Sequence, residues 1–382
     1  MHERTLKPFS GRTPAVLAGL TILAVLGFLG VGRLVNRFQE QQKALARHLY
    51  QRGLGEQQSG KLDLAVQHFR AALGYDPDNF QYQLGLARSL RDSGRTDEAE
   101  AYLVSLWERA PQNGAVNLAL GRLAARQEKI DKVIQYYHNA IYGVWDSNPE
   151  QNRLNAWFEL VSVLSRINAR AQAQAELIAL SLSLPPQPEL LMQAADLFAQ
   201  TQDYDHAFAE YQRVLQIDRT NANAEAGAAE MAFKLGRYRS AERYLENASK
   251  TDPHEIQISD MRQISKLILQ QDPFSRGLSA QQRSARIRVI LKEAGKRLDT
   301  CMASQEQASN PVQQSSDLSE LRTQWTQMNR RLRRLGAGGE SGLADEVMDL
   351  VLQVEQQTSN CAPSSQDKAL LLLAQGRSGV EQ

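Results

Sequence analysis

The chain has 382 residues, 42% of them hydrophobic and 23% charged, with a formal net charge of +1. That length allows two or three structural units, and the near-neutral balance excludes a global attraction to nucleic acid. Ala, Leu, Gln, Arg and Glu are abundant, all good helix formers, and no alternating Val/Ile/Thr runs suggest strands, so an all-α fold is expected.

In chain order, residues 1–13 form an N-terminal tail carrying Arg4, Lys7 and Arg12. Residues 14–32 are free of charge, with Thr21 the only clearly polar member. As a helix this stretch spans about 28 Å, close to the hydrocarbon thickness of a bilayer, and predicts a transmembrane helix. A cleaved signal peptide is the alternative. The apolar stretch is longer than a usual signal core, and Gly30-Val31-Gly32 is a mediocre cleavage site, which favours an uncleaved anchor. Basic residues lie on both sides (Arg33, Arg37, Lys43 and Arg47 follow the span), so the charge rule gives no orientation, or a slight lean to a cytoplasmic body. Within residues 33–45 and beyond, Leu34, Phe38, Leu45 and Leu49 keep helical spacing, so the membrane helix runs on or breaks only briefly.

Residues 46–255 contain one pattern six times. A small residue recurs at Ala65, Ala99, Val133, Ala173, Ala207 and Ala241, in steps of 34 apart from one of 40. Twelve residues after each comes a helix stop: Pro77, Pro111, Trp145, Pro185, Arg219 and Pro253. Large apolar residues follow the small ones by four (Phe69, Leu103, Tyr137, Leu177, Tyr211, Leu245), which places them on the same helix face. A second, mostly small series lies twelve residues earlier: Gly53, Ala87, Gly121, Val161, Ala195 and Ala229. Between the two series, Gly60, Gly94, Asn168 and Gly236 suit a helix C-terminus. Each copy thus reads as helix, turn, helix, break, and such units must stack to bury their apolar faces.

The pattern resembles the tetratricopeptide repeat (TPR), most cleanly at Trp157, Leu160, Leu164, Ala173, Leu177 and Pro185, and at Gly60, Ala65, Phe69, Ala72 and Pro77. The copies run 46–79, 80–113, 114–147, 154–187, 188–221 and 222–255, with extra residues around Ser147–Arg153. The resemblance implies an α-solenoid that binds protein or peptide partners. In the first copy, Arg52 and Glu56 depart from the pattern.

After the repeats, Ile258, Met261, Ile264, Leu267 and Ile268 predict a capping helix within 256–280, closed by a boundary at Pro273 and Gly277. Residues 281–382 read as a small helical domain. One stripe is Ile287, Ile290, Ala294, Leu298 and Cys301. Another is Leu318, Leu321, Trp325, Met328, Leu332 and Leu335, opened by an Asp317–Glu320 capping box and stopped by Gly336. A third is Leu343, Val347, Leu350 and Val354, and Ser364 with Asp367 opens a final helix. Residues 303–316, rich in Gln, Ser and Asn, read as a loop.

Chemistry is sparse. The six histidines form no ligand pair at helical or finger spacing, so no metal, cofactor or catalytic residue is expected. Gly55 to Lys61 imitates a phosphate-binding loop but has Leu62 where Ser or Thr should hold magnesium, with no preceding strand. Cys301 and Cys361, the only cysteines, are compatible with a disulfide, which would place the body outside the cytoplasm; two separate buried thiols are the alternative. The first helices of TPR arrays line a groove, and the resemblance puts Arg88, Arg91, Arg122, Arg126 and Arg166 there as forks suited to an acidic partner. Tyr50, Leu84, Leu118 and Phe158 would add apolar contact. The expected protein is a single-pass scaffold of the bacterial inner membrane with a periplasmic body, serving envelope assembly or secretion. The alternative is an enzyme or metal-linked regulator that acts through the C-terminal helices.

Overall fold

A computed structural model describes residues 12–251, 256–306, 314–334 and 342–376; the side chains of 12–17, 30, 32, 34, 249–251, 256–258, 305–306 and 314–316 lie outside the described set. Among the described residues the chain is helical, without a strand. It divides into two compact units, Met1–Ala169 and Arg170–Gln382, the division falling between the two helices of the fourth repeat.

The first unit holds α1 (Arg12–Gln58), α2 (Leu62–Tyr75), α3 (Phe80–Asp92), α4 (Thr96–Arg109), α5 (Gly114–Arg126), α6 (Ile130–Ile141) and α7 (Pro149–Arg166). The period sets the pairing. Ala65, Ala99 and Val133 are fully buried at the crossings, and Phe69, Leu103 and Tyr137 fill the space beside them. Small partners are required there. A Cβ on Gly53 or Gly85 would stand 2.8 or 2.9 Å from the Phe69 ring, closer than packed carbon atoms approach. Asn79 and Asn113 cap α3 and α5, accepting from the amides of Tyr82 and Val116 and so satisfying donors that the first turn leaves free.

The inter-helix turns share one backbone device. Gly60 (φ 72°), Gly94 (φ 85°), Glu128 (φ 56°) and Asn168 (φ 61°) are all left-handed, the conformation that ends a helix and reverses the chain. The third copy lacks a proline stop and uses Trp145 instead. Its indole lies over Gly114 and donates to the Ala140 carbonyl (2.9 Å). Paired backbone bonds, Val144 N to Gln112 O and Gly114 N to Val144 O (both 2.8 Å), pin the inserted loop.

Of the two possibilities for residues 33–45, a helix that runs on or one that breaks briefly, the first is seen: α1 is uninterrupted and also supplies the first helix of the first repeat. Nothing between residues 33 and 45 breaks a helix, so helix propagation continues. Among the described residues no helix is long and apolar enough to cross a membrane, so the span expected over 14–32 is not shown; part of it lies outside the described residues. Where side chains are described, Leu20, Ile22, Leu23, Leu26 and Phe28 are exposed.

The second unit continues the helix pairs with α8 (Arg170–Ser183), α9 (Pro188–Gln200), α10 (Tyr204–Ile217), α11 (Ala222–Lys234) and α12 (Tyr238–Thr251). Left-handed turns recur at Gln202 (φ 60°) and Gly236 (φ 73°). Then follow α13 (Ile256–Gln271), α14 (Ala280–Glu306), α15 (Gln314–Arg334), α16 (Leu343–Gln357) and α17 (Ser365–Gln375). One core runs through α12 to α17, joining Tyr238, Ile264 and Ile268 to Ile290, Leu298, Val347 and Leu370. The boundary expected at Pro273 and Gly277 is a tight, hydrogen-bonded turn. Buried Asp272 accepts from the Phe274 amide (2.9 Å) and the Ser275 hydroxyl (2.8 Å), while Arg286 donates to its carbonyl (2.6 Å).

The Asp317–Glu320 box does not open α15, which begins at Gln314, so Asp317 already lies inside the helix. Ser364 and Asp367 do form the reciprocal box at α17. Of the expected loop 303–316, residues 303–306 belong to α14 and 314–316 to α15; residues 307–313, Pro253, Leu335 and Gly336 lie outside the described residues.

Cys301 of α14 is joined to Cys361, between α16 and α17, in a disulfide with Cα atoms 5.8 Å apart. One turn before Cys301, buried Arg297 donates to the carbonyls of Thr358 (2.7 Å), Cys361 (2.6 Å) and Ala362 (2.7 Å). The same guanidinium lies 3.4 Å from Asp367 and 3.9 Å from Glu355, both buried. Burial and the neighbouring Asp367 push Glu355 up to about 7 against the pull of Arg297.

Candidate partner-binding site

The first helices of three successive repeats, α3, α5 and α7, bring their last turns together around a cavity of about 490 Å³. Arg91 and Asp92 end α3. Arg91 folds onto Asp92 through two bonds (Nε to Oδ1 2.9 Å, Nη2 to Oδ2 3.1 Å) and is only 6% exposed. Its remaining nitrogen, Nη1, is buried without a hydrogen-bond partner among the described residues. Arg126, from the end of α5, donates to the Arg91 carbonyl and approaches Asp92 at 3.5 Å.

One turn earlier on α5, Arg122 meets Glu159 of α7 in a two-bond fork, both distances 2.6 Å, and Tyr137 of α6 donates its hydroxyl to Glu159 (2.8 Å). The hydrogen bond to Glu159 raises Arg122 above its ordinary value. Burial pushes Glu159 upward, but the bonds from Arg122 and Tyr137 outweigh it and hold the carboxyl below its usual range. Burial and the Glu159 charge raise the Tyr137 phenol, which stays a neutral donor. Arg166, in the last turn of α7, is exposed at the cavity and makes no ion pair among the described residues.

Arg88 sits one turn before Arg91 on α3 with its Nε buried and without a hydrogen-bond partner among the described residues. Burial, then repulsion from Arg122 and Arg91, lowers it to about 10. The five arginines expected on a solvated groove are therefore unequal: Arg91 is buried, Arg88 half-buried, Arg122 ion-paired, and Arg126 and Arg166 exposed.

The apolar residues expected in the groove are core instead. Leu84 is 2% and Phe158 4% exposed, Leu118 is also buried, and Leu84 packs with Val116, Ala119 and Leu120 between neighbouring repeats. Tyr50 is half-buried between the rings of Phe69 (5.6 Å) and Tyr82 (4.8 Å). Burial favours apolar side chains at these positions, and none of them lines the cavity.

Asp92, Tyr137 and Glu159 belong to the site without having been singled out for it. Glu159 had a signal in the register. The same position of the other copies holds Gln51, Gly85, Ala119, Gln193 and Gly227, all uncharged, so a charge there is out of pattern. Elsewhere, no group of three or more His, Cys, Asp or Glu among the described residues could hold a metal ion. The segment imitating a phosphate loop is the end of α1 and its turn.

A tetratricopeptide-repeat family model matches residues 56–123 and 198–263. The putative cellulose synthase operon protein C of Escherichia coli O157:H7 is 25% identical over 197 residues, half of this chain but 17% of that relative; the protein of that name from Escherichia coli K12 is 24% identical over the same length. The chain thus spans about a sixth of the length of the curated relatives it matches. Among solved structures, Pseudomonas aeruginosa pilF is 19% identical (TM-score 0.39, 58% of this chain and 98% of that one). PilW, described as a type IV pilus biogenesis factor, is 16% identical (TM-score 0.39, 56% and 97%). The register of small residues, the paired helices and the family model agree, and residues 56–123 and 198–263 carry tetratricopeptide repeats.

Proposed function

We propose that the protein is a membrane-anchored adaptor that holds an acidic segment of a partner protein against α3, α5 and α7, in the service of cell-envelope assembly or secretion. The observation that carries this reading is the guanidinium-lined cavity at the ends of three successive first helices. Stacked helix pairs offer a preformed surface, and binding to it spares the ordering cost that a flexible receptor would incur.

Three further features support the setting. The charge-free stretch 14–32 and the exposed apolar residues of α1 suit a lipid anchor. The Cys301–Cys361 disulfide suits a body outside the cytoplasm. The relative's printed name, a cellulose synthase operon protein, fits work at the envelope. The test is capture of partners by the full-length protein from detergent-solubilised membranes, with Arg126→Ala and Arg166→Ala together as the comparison. Partners lost from the variant and weakened by salt fit the reading; an unchanged partner set at low salt removes the cavity from it.

A further inference from the structure

From Leu321 to Gly339 the chain has five arginines and no acidic residue, against a net charge of +1 for all 382 residues. Three of them, Arg330, Arg333 and Arg334, are exposed at the end of α15, on the side away from its buried Leu318, Leu321 and Leu332. Two contacts fix how α14 lies beside α15. The Trp325 indole donates to the Leu291 carbonyl (2.6 Å), and Arg322 pairs with Asp299 at 3.0 Å. The two helices are therefore antiparallel, and in that register Lys292 and Arg288 of α14 come level with Asn329 and Arg333. Arg330, Arg333, Arg334 and the exposed Lys292 have no ion pair or hydrogen bond among the described residues. Nearby carboxylates are already engaged: Glu346 with Arg331, Asp299 with Arg322 and Glu293 with Lys296. Cations in a last turn complement the helix dipole, but that does not account for Lys292 on the neighbouring helix.

We infer that this face of the α14–α15 pair docks on the surface of a bilayer containing anionic phospholipid, a second contact with the membrane besides the anchor; the choice of a bilayer rests on the anchor proposed above. Charge complementarity gives the class of partner. Successive residues leave a helix about 100° apart, so the three arginines fan out, and with Lys292 they suit a plane of headgroup phosphates more than one bound anion. Single-stranded nucleic acid calls for exposed aromatic side chains among the cations. Trp325 is the only aromatic residue of the two helices, and it is half-buried, with its N–H spent on Leu291 and Arg322 over its ring (4.4 Å). A protein partner calls for an aromatic or apolar anchor that becomes buried, whereas the apolar residue beside Arg288 is the 44% exposed Val289. An aliphatic side chain among basic ones is what an interfacial helix places at the headgroup boundary, where the stems of Lys and Arg lie along it and their charges reach the phosphates.

The test presents the lipid in trans, so that the anchor does not supply the binding. Full-length protein in nanodiscs of neutral phosphatidylcholine is mixed with sedimentable vesicles, of phosphatidylcholine alone or with phosphatidylglycerol. The protein should sediment with the anionic vesicles only and leave them as salt rises. Arg330→Gln, Arg333→Gln and Arg334→Gln together should weaken vesicle binding roughly a hundredfold, at about fivefold per cation, with an unchanged circular dichroism spectrum. Arg219→Gln, Arg239→Gln and Arg243→Gln together remove the same charge from exposed positions of the same unit and should leave binding as it is. Equal binding by the two triple variants overturns the inference, and so does a wild type that ignores anionic vesicles or takes neutral ones equally well. Capture of polyglutamate or of a DNA oligonucleotide in place of the vesicles, lost in the first variant, assigns the face to an acidic protein or to nucleic acid and also overturns it. Protein that carbonate strips from its native membrane but that still binds anionic vesicles through these arginines loses the anchor and keeps this face.

Discussion

Glu355 gives the second unit a stability that depends on pH near neutrality. The residue is 6% exposed, its Oε1 has no hydrogen-bond partner among the described residues, and Arg297, 3.9 Å away, is already committed to three backbone carbonyls. Burial, with the Asp367 charge, pushes its pKa up to about 7, well above the ordinary glutamate range. A raised carboxyl pKa means the folded state binds the proton more tightly than the unfolded state does. The associated stability is fully present below about 4.5 and is lost as pH rises through about 7. The gap corresponds to on the order of 3 kcal/mol. Glu355→Gln keeps the shape and removes the titration, so the variant should match the wild type at pH 5 and exceed it at pH 8. The assay is hydrogen exchange of α16, corrected for intrinsic rates, at pH values from 5 to 8. Parallel curves for the two proteins would show that Glu355 is ionised throughout and that the buried cluster is paired differently.

Other expectations follow from single features. Gln202 holds a left-handed conformation that costs a side-chain-bearing residue about 1 kcal/mol, so Gln202→Gly should raise the melting temperature and Gly94→Ala should lower it. Thiol alkylation of protein from its native membrane should find Cys301 and Cys361 oxidised. Replacing both by Ser should weaken the second unit by about 4 kcal/mol on the chain-entropy estimate, read from urea-dependent hydrogen exchange across α14 to α17. The full-length protein should stay with membranes through high-salt and carbonate washing; release by salt alone would remove the anchor. Ala99→Trp should disturb the fold itself, since Ala99 is fully buried at a helix crossing, and loss of helical circular dichroism would register it.

The repeat architecture was legible because its packing demands recur at fixed intervals: a small residue where helices cross, a large one beside it, a stop after it. Turns were legible only where residue type betrayed them. Gly60, Gly94 and Asn168 advertise a left-handed backbone, but Glu128 and Gln202 adopt it at the same register position and could be found only by counting. The groove was half legible. Helical spacing groups Leu84, Leu118 and Arg122 near one another but does not say which side meets the next repeat, and there the apolar side chains went inside. The ion-pair network depends on Glu159 reaching Arg122 from 37 residues away, a distance that no local pattern encodes. The core of α12 to α17 was hidden for a similar reason: the stripe of Ile264 and Ile268 looks the same whether it caps a repeat or joins five other helices.

The unbroken α1 makes the first unit a body mounted on a rigid shaft. Ala46 is the first buried side chain along it among those described, about 20 Å beyond Arg33 at the helical rise. With the proposed anchor in a bilayer, that length sets the height of the cavity above the lipid, and the helix register sets its compass bearing. One residue inserted between Arg37 and Lys43 would turn the whole unit by about 100° around the shaft, and seven would bring it back to within about 20° while lifting it about 10 Å. Height and bearing are therefore written into the same few residues, and capture of a partner fixed in the membrane should rise and fall with the number inserted.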